Sequence, residues 1–178
     1  MMGRRGEGET RRVPASPRHR VPVSPYPRVV KESEASMKNN LTRPILLVED
    51  NPMDVDLTRR AFARHKLVNA FEVARDGEEA LAYLTHWEAG APLPVVILLD
   101  LKLPKVDGLE VLRQIKAHPQ FRTVPVVILT TSAEDYDVQA AYQLGANSYI
   151  VKPVDFDKFM EVAEQIELYW SVLNKPPK

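Results

Sequence analysis

Val95-Val96-Ile97-Leu98-Leu99-Asp100-Leu101-Lys102-Leu103-Pro104-Lys105-Val106-Asp107-Gly108 is the stretch that decides the fold. Its first five residues are apolar without alternation, the pattern of a strand buried on both faces, as in a parallel sheet. A carboxylate, Asp100, follows at once, at the edge where open α/β sheets place their ligands. Outward from this stretch the pattern repeats. Ile45-Leu46-Leu47-Val48 ends in Glu49-Asp50, Val126-Val127-Ile128-Leu129 in Thr130, and Tyr149-Ile150-Val151 in Lys152-Pro153. Three carboxylates, a hydroxyl and a lysine thus leave the same ends of separate strands.

The segments between these runs read as helices. Asn51 with Pro52 can start a helix running to about His65. A strand near Phe71–Ala74 precedes a helix that begins after Asp76-Gly77 and continues through Leu81 and Leu84. A longer connection from Glu88 to Pro94 leads to the third strand. Further helices are expected from Gly108 to Ala117, from Glu134 to a stop at Gly145, and after Asp155 as a cap. Strands and helices alternate five times, which argues an α/β fold with a parallel sheet covered on both faces.

Composition narrows the class. Lys and Arg total 24, as do Asp and Glu, but residues 1–36 hold eight basic and four acidic residues, a net +4 that leaves −4 elsewhere. A mildly acidic domain without a basic stripe argues against nucleic acid as a partner. The absence of cysteine excludes disulfides and thiolate metal sites. No apolar stretch approaches the roughly eighteen residues a membrane helix needs, so a cytoplasmic protein without membrane attachment is expected. Residues 1–42 read as a disordered Arg/Pro-rich tail, with Met37 as an alternative start, and residues 43–178 as one domain with a C-terminal helix. A basic arm for an acidic surface is the functional reading of that tail; a solvated tail is the plainer one.

Taken together and in order, Glu49-Asp50, Asp100 with Leu103-Pro104 and Asp107-Gly108, Thr130, Tyr149 and Lys152-Pro153 resemble the CheY-like receiver domain of two-component response regulators. The resemblance runs from about Pro44 to Leu173. It implies a flavodoxin-like, doubly wound, five-stranded parallel sheet of order 2-1-3-4-5. It further implies that Asp100 accepts a phosphoryl group from a sensor histidine kinase in phosphorelay signalling. Mg²⁺ would be held directly by Asp50 and Asp100, by Glu49 through water, and by the Lys102 backbone carbonyl. Thr130 and Lys152 would serve the phosphoryl oxygens, and Thr130 with Tyr149 would form a switch. Lys102 and Ser132 occupy positions that tune water access in similar proteins. The resemblance also implies a cis Lys152–Pro153 bond.

The Glu88–Pro94 connection and the chain end from Tyr169 to Pro176 look like receivers paired with phytochrome-type kinases. Two other functions compete. A Mg²⁺-dependent aspartyl-phosphate hydrolase would need a general acid/base two residues after the nucleophile, where Lys102 stands. A phosphorylation-independent scaffold would not need the full set of side chains. In the last helix, Phe156, Phe159, Met160, Ala163, Ile166 and Trp170 fall at helical spacing and are expected to face the sheet. Val162, Tyr169, Val172 and Leu173 then form a flank, and a homodimer through this helix is expected.

Overall fold

The computed structural model describes residues 43–63 and 69–174, apart from the side chains of Glu167 and Val172. The tail and the Met37 start lie outside these residues, as does His65 at the expected end of the first helix. Five strands alternate with five helices: β1 Ile45–Val48, α1 Pro52–Ala63, β2 Phe71–Ala74, α2 Gly77–Glu88, β3 Val96–Leu99, α3 Gly108–Ala117, β4 Val126–Thr130, α4 Asp135–Gln143, β5 Ser148–Val151 and α5 Phe156–Glu167. All pairings are parallel and the strand order is β2-β1-β3-β4-β5, the flavodoxin-like arrangement.

The two-faced burial of the apolar runs follows from the pleat, which sends successive side chains to opposite faces. Leu46, Val48, Ile97, Leu99, Val126 and Ile128 pack with Ala80, Trp87, Val111, Leu112, Ile115 and Ala141 from α2, α3 and α4. Ile45, Leu47, Val96, Leu98, Val127 and Leu129 pack with Ala61 and Phe62 of α1 and with Phe159, Met160, Ala163 and Ile166 of α5. Every residue of β1, β3 and β4 is buried. The chain leaves β1 toward one side and β3 toward the other, so a crevice opens at their C-terminal ends, the switch point of this topology.

Local chemistry sets the helix starts. Asp76, Asp107 and Asp155 accept from the backbone N–H groups of Glu79, Glu110 and Lys158 as N-caps of α2, α3 and α5. Asn51 accepts from the Met53 N–H at 3.0 Å ahead of α1, with Pro52 at its first position. Gly145 has φ of 95° just past α4, the left-handed conformation that glycine adopts without strain. At the start of α3 the backbone passes so close to the Asp100 carbonyl that a Cβ on Gly108 would collide with it.

The last helix departs from expectation in three respects. Phe156 is exposed, because it sits in the first turn, before the helix has reached the sheet. Val162 packs against the core instead of lying on the outer flank. After Glu167 the chain widens into a π-helical turn over Leu168–Leu173, where the Asn174 N–H donates to the Tyr169 carbonyl at 2.7 Å. Leu168 is exposed in this turn, and Tyr169 and Leu173 are exposed as expected of the flank. Among the described residues no helix is long and apolar enough to cross a membrane.

Candidate functional site

The polar residues at the strand ends converge as the apolar runs require. Glu49 follows β1 and its N–H continues the β1–β2 ladder to the Ala74 carbonyl at 2.9 Å. Asp100 follows β3, held by its N–H to the Val48 carbonyl at 3.0 Å. Lys152 follows β5, and its N–H donates to the Thr130 carbonyl at 2.7 Å. Each side chain is therefore aimed by a ladder hydrogen bond carried one residue past its strand. No peptide bond among the described residues is cis, so Lys152–Pro153 is trans, contrary to the sequence reading. The extended ladder, and not a cis bond, points the lysine inward.

Lys152 is the centre of the site. Its buried ammonium donates to Glu49 Oε2 at 2.5 Å, Asp100 Oδ2 at 2.7 Å and Asp54 Oδ2 at 2.9 Å. Glu49 and Asp100 are themselves buried, whereas Asp50 is exposed. The Lys102 N–H donates to Asp100 Oδ1 at 3.1 Å.

Electrostatics separate the two buried carboxylates. Burial raises the pKa of Asp100, but hydrogen bonds and charge from Lys152, with help from Thr130 and the Lys102 N–H, outweigh it and hold the group below its ordinary value. Burial dominates at Glu49, opposed by Lys152 and reinforced by the Asp100 charge, and the group is pushed up to about 7. Lys152 loses solvation by burial but gains more from Asp100 and Glu49, so its pKa rises. Asp100 is thus an ionised, oriented carboxylate.

The sequence reading expected Glu49, Asp50 and Asp100 as a triad around a metal. Among the described residues no three such groups are gathered at metal-holding geometry; Lys152 stands between Glu49 and Asp100. The donor chemistry nonetheless fits a hard cation. Glu49, Asp54 and Asp100 share a single ammonium, and Asp50 follows Glu49 in the chain; this surplus of carboxylate oxygen suits a hard divalent ion.

Around the rim, Tyr149 donates its hydroxyl to the Ser132 carbonyl at 3.0 Å and is half-buried on the α2–α4 side. Ser132 donates its own hydroxyl to Asp137 Oδ2 at 2.6 Å. Asp54 and Asp137 were missed from sequence. Each lies in the first turn of a helix that starts just after a strand-end residue of the site, which is the signal that would have found them.

Comparison with known proteins agrees with this geometry. The family model described as response regulator receiver domain matches residues 45–164. The probable methanogenesis regulatory protein FilR2 of Methanothrix harundinacea is 48% identical over 134 residues, covering 75% of this chain and 86% of that protein. Response regulator Rcp1 of Synechocystis is 38% identical over 137 residues, covering 76% and 93%. Among solved structures, the phosphorylated cyanobacterial phytochrome response regulator RcpA superposes with a TM-score of 0.72 at 39% identity, covering 77% of this chain and 99% of that one. The Mn²⁺-bound form of Rcp1 gives 0.71 at 37% identity, covering 76% and 99%. The bacteriophytochrome response regulator RtBRR gives 0.61 at 50% identity, covering 76% and 84%. A match this long, on a fold whose switch point carries the ionised carboxylate and its lysine, places the chain in the response regulator receiver domain family.

Proposed function

We propose that Asp100 is the phosphoacceptor of this receiver domain. Domains of this family are phosphoacceptors with autophosphatase activity in phosphorelay signalling, not enzymes that turn over a separate substrate. The observation that carries the assignment to Asp100 is the Lys152 ammonium at 2.7 Å from its Oδ2, which keeps a buried carboxylate ionised. The donor is the phosphohistidine of a sensor histidine kinase. One Asp100 oxygen attacks phosphorus, the P–N bond breaks, and the imidazole leaves with the bonding pair, giving an acyl phosphate. Lys152 then has a phosphoryl oxygen to serve and Thr130 offers its hydroxyl to another, because phosphoryl transfer asks mainly for positioning and neutralisation.

Glu49, Asp50, Asp100 and the Lys102 backbone carbonyl would hold Mg²⁺, an ion that favours carboxylates plus phosphate oxygens. When bound, it supplies positive charge to the phosphoryl oxygens. Thr130 and Tyr149 form the switch: a hydroxyl drawn toward the phosphoryl group leaves space that the ring enters, releasing the Ser132 carbonyl. The names of RcpA and RtBRR favour a phytochrome-type kinase as partner. The outward Leu168, Tyr169 and Leu173 support a homodimer through the last helix, and Tyr169→Ala with Leu173→Glu should give monomers in sedimentation.

The hydrolase alternative is disfavoured by Lys102, whose ammonium cannot replace a general acid/base carboxylate. The test is labelling with acetyl phosphate and Mg²⁺. Asp100→Asn is expected to take up no label, and undiminished labelling of that variant overturns the assignment.

A further inference from the structure

A chain of hydrogen bonds runs from Asp100 through Lys102, Asp137 and Ser132 to Thr130. The Lys102 N–H donates to Asp100 Oδ1 at 3.1 Å, while the Lys102 ammonium, on a largely exposed side chain, reaches away to Asp137 Oδ2 at 3.4 Å. That same oxygen accepts the Ser132 hydroxyl at 2.6 Å. The Ser132 N–H donates to Thr130 Oγ1 at 3.3 Å, and Thr130 helps to hold the Asp100 pKa down. Asp137 is 7% exposed, and nothing in the transfer step itself employs it. A buried carboxylate in a first helical turn costs desolvation unless its partners compensate. Here the partners are two side chains that flank the phosphoacceptor, one from the loop after β3 and one from the loop after β4.

We infer that Asp137 is a positioning residue for hydrolysis of the acyl phosphate, acting by drawing Lys102 aside. The inference rests on Asp100 being the phosphoacceptor. Lys102 is two residues from Asp100 and its main chain is already bonded to that carboxylate. Its ammonium therefore has two destinations, the Asp137 carboxylate on α4 or the phosphoryl oxygens on Asp100. Held by Asp137, it leaves the face of the phosphoryl group open to water. Released, it is drawn to the phosphoryl charge and covers that approach. Asp137 thereby keeps the phosphorylated lifetime short without touching the phosphoryl group. Ser132 fixes the carboxylate for this purpose, and the Tyr149 hydroxyl on the Ser132 carbonyl links this chain to the switch.

The experiment follows label decay after removal of acetyl phosphate, in the full chain with Mg²⁺, for wild type, Asp137→Asn, Lys102→Met and the double variant. Asp137→Asn keeps the shape and a hydrogen-bond partner for Ser132 but loses the charge that holds Lys102. Decay is expected to slow at least about threefold, with the initial labelling rate within about twofold of wild type. In the Lys102→Met background the same substitution should change decay by less than about 1.5-fold. A purely structural role would alter decay equally in both backgrounds, and that result overturns the inference, as does unchanged decay in Asp137→Asn. Should Asp137→Asn fail to fold, Ser132→Ala, which loosens the Asp137 carboxylate, is compared alone and combined with Lys102→Met. Decay must slow in Ser132→Ala alone and change little in the Lys102→Met background; unaltered decay in the first, or an equal change in both, overturns the inference. Label persisting in Asp100→Asn would instead remove the phosphoacceptor assignment on which this rests.

Discussion

Two lysines, at opposite edges of one sheet, each hold three oxygens, and their environments push them in opposite directions. Lys152, at the C-terminal edge, bonds three carboxylates, and their charge raises its pKa despite burial. Lys116, at the end of α3, bonds the Arg122 carbonyl at 3.2 Å, the Val124 carbonyl at 2.8 Å and Asn147 Oδ1 at 3.1 Å. None of these carries a charge, and burial lowers its pKa to about 8. The oxygens around Lys116 are the approaches to β4 and β5, so that lysine ties off backbone ends. The oxygens around Lys152 are ionic, and their arrangement changes as soon as another charge arrives. The same side chain thus serves as a clasp at one edge and as a redistributable charge at the other.

Lys152→Met should break the comparison most. It leaves Glu49, Asp54 and Asp100 facing one another without a counter-ion, and removing one partner of a buried ionic cluster costs about 3–5 kcal/mol. Urea unfolding in metal-free buffer should show this loss, Mg²⁺ should restore part of it, and labelling should fall by about a hundredfold. Stability equal to wild type without metal would mean that the carboxylates do not depend on the ammonium. Lys116→Met is expected to cost less, about 1–3 kcal/mol for the hydrogen-bonding groups left behind. Its labelling should match wild type, and Mg²⁺ should restore nothing.

A pH series sharpens the contrast. The folded-state pKa of Lys116 lies below its ordinary 10.5, so between about 8 and 10.5 the unfolded chain binds more protons and stability gains from rising pH. Lys152 is shifted the other way; its contribution is complete below its ordinary value and is lost only as pH rises through a still higher one. The stability difference between wild type and Lys116→Met should therefore grow from pH 7 to pH 10, and a flat difference would refute the burial argument. The smallest effect is expected from Asp54→Asn. This carboxylate is 28% exposed, so its pairing with Lys152 is worth about 0.5–1 kcal/mol, measurable as a small drop in urea midpoint.

What could be read from the chain follows the same division. The buried runs of β1, β3 and β4 are visible because both faces are covered, and each run delivers its terminal polar residue to one edge whatever the helices do. Asp54 and Asp137 were not visible, because their roles depend on how the first turns of α1 and α4 are rotated toward the strand ends. Phe156 and Val162 were misplaced for a related reason: periodicity gives a stripe, but not the point at which the helix meets the sheet. The trans Lys152–Pro153 bond shows that a ladder hydrogen bond can aim a side chain for which a special peptide geometry had been expected.

The bond between Lys152 and Glu49 joins residues 103 positions apart, and the one to Asp100 spans 52. Contacts of such separation form late, because closing long loops costs entropy before the contact returns anything. No fragment lacking β1 or β5 can assemble the site, since each contributes one of its charges. On the assignment of Asp100, competence to be phosphorylated is then a certificate of complete folding. A chain with an undocked last strand remains chemically silent to its kinase, and this proofreading needs no component beyond the topology of the sheet.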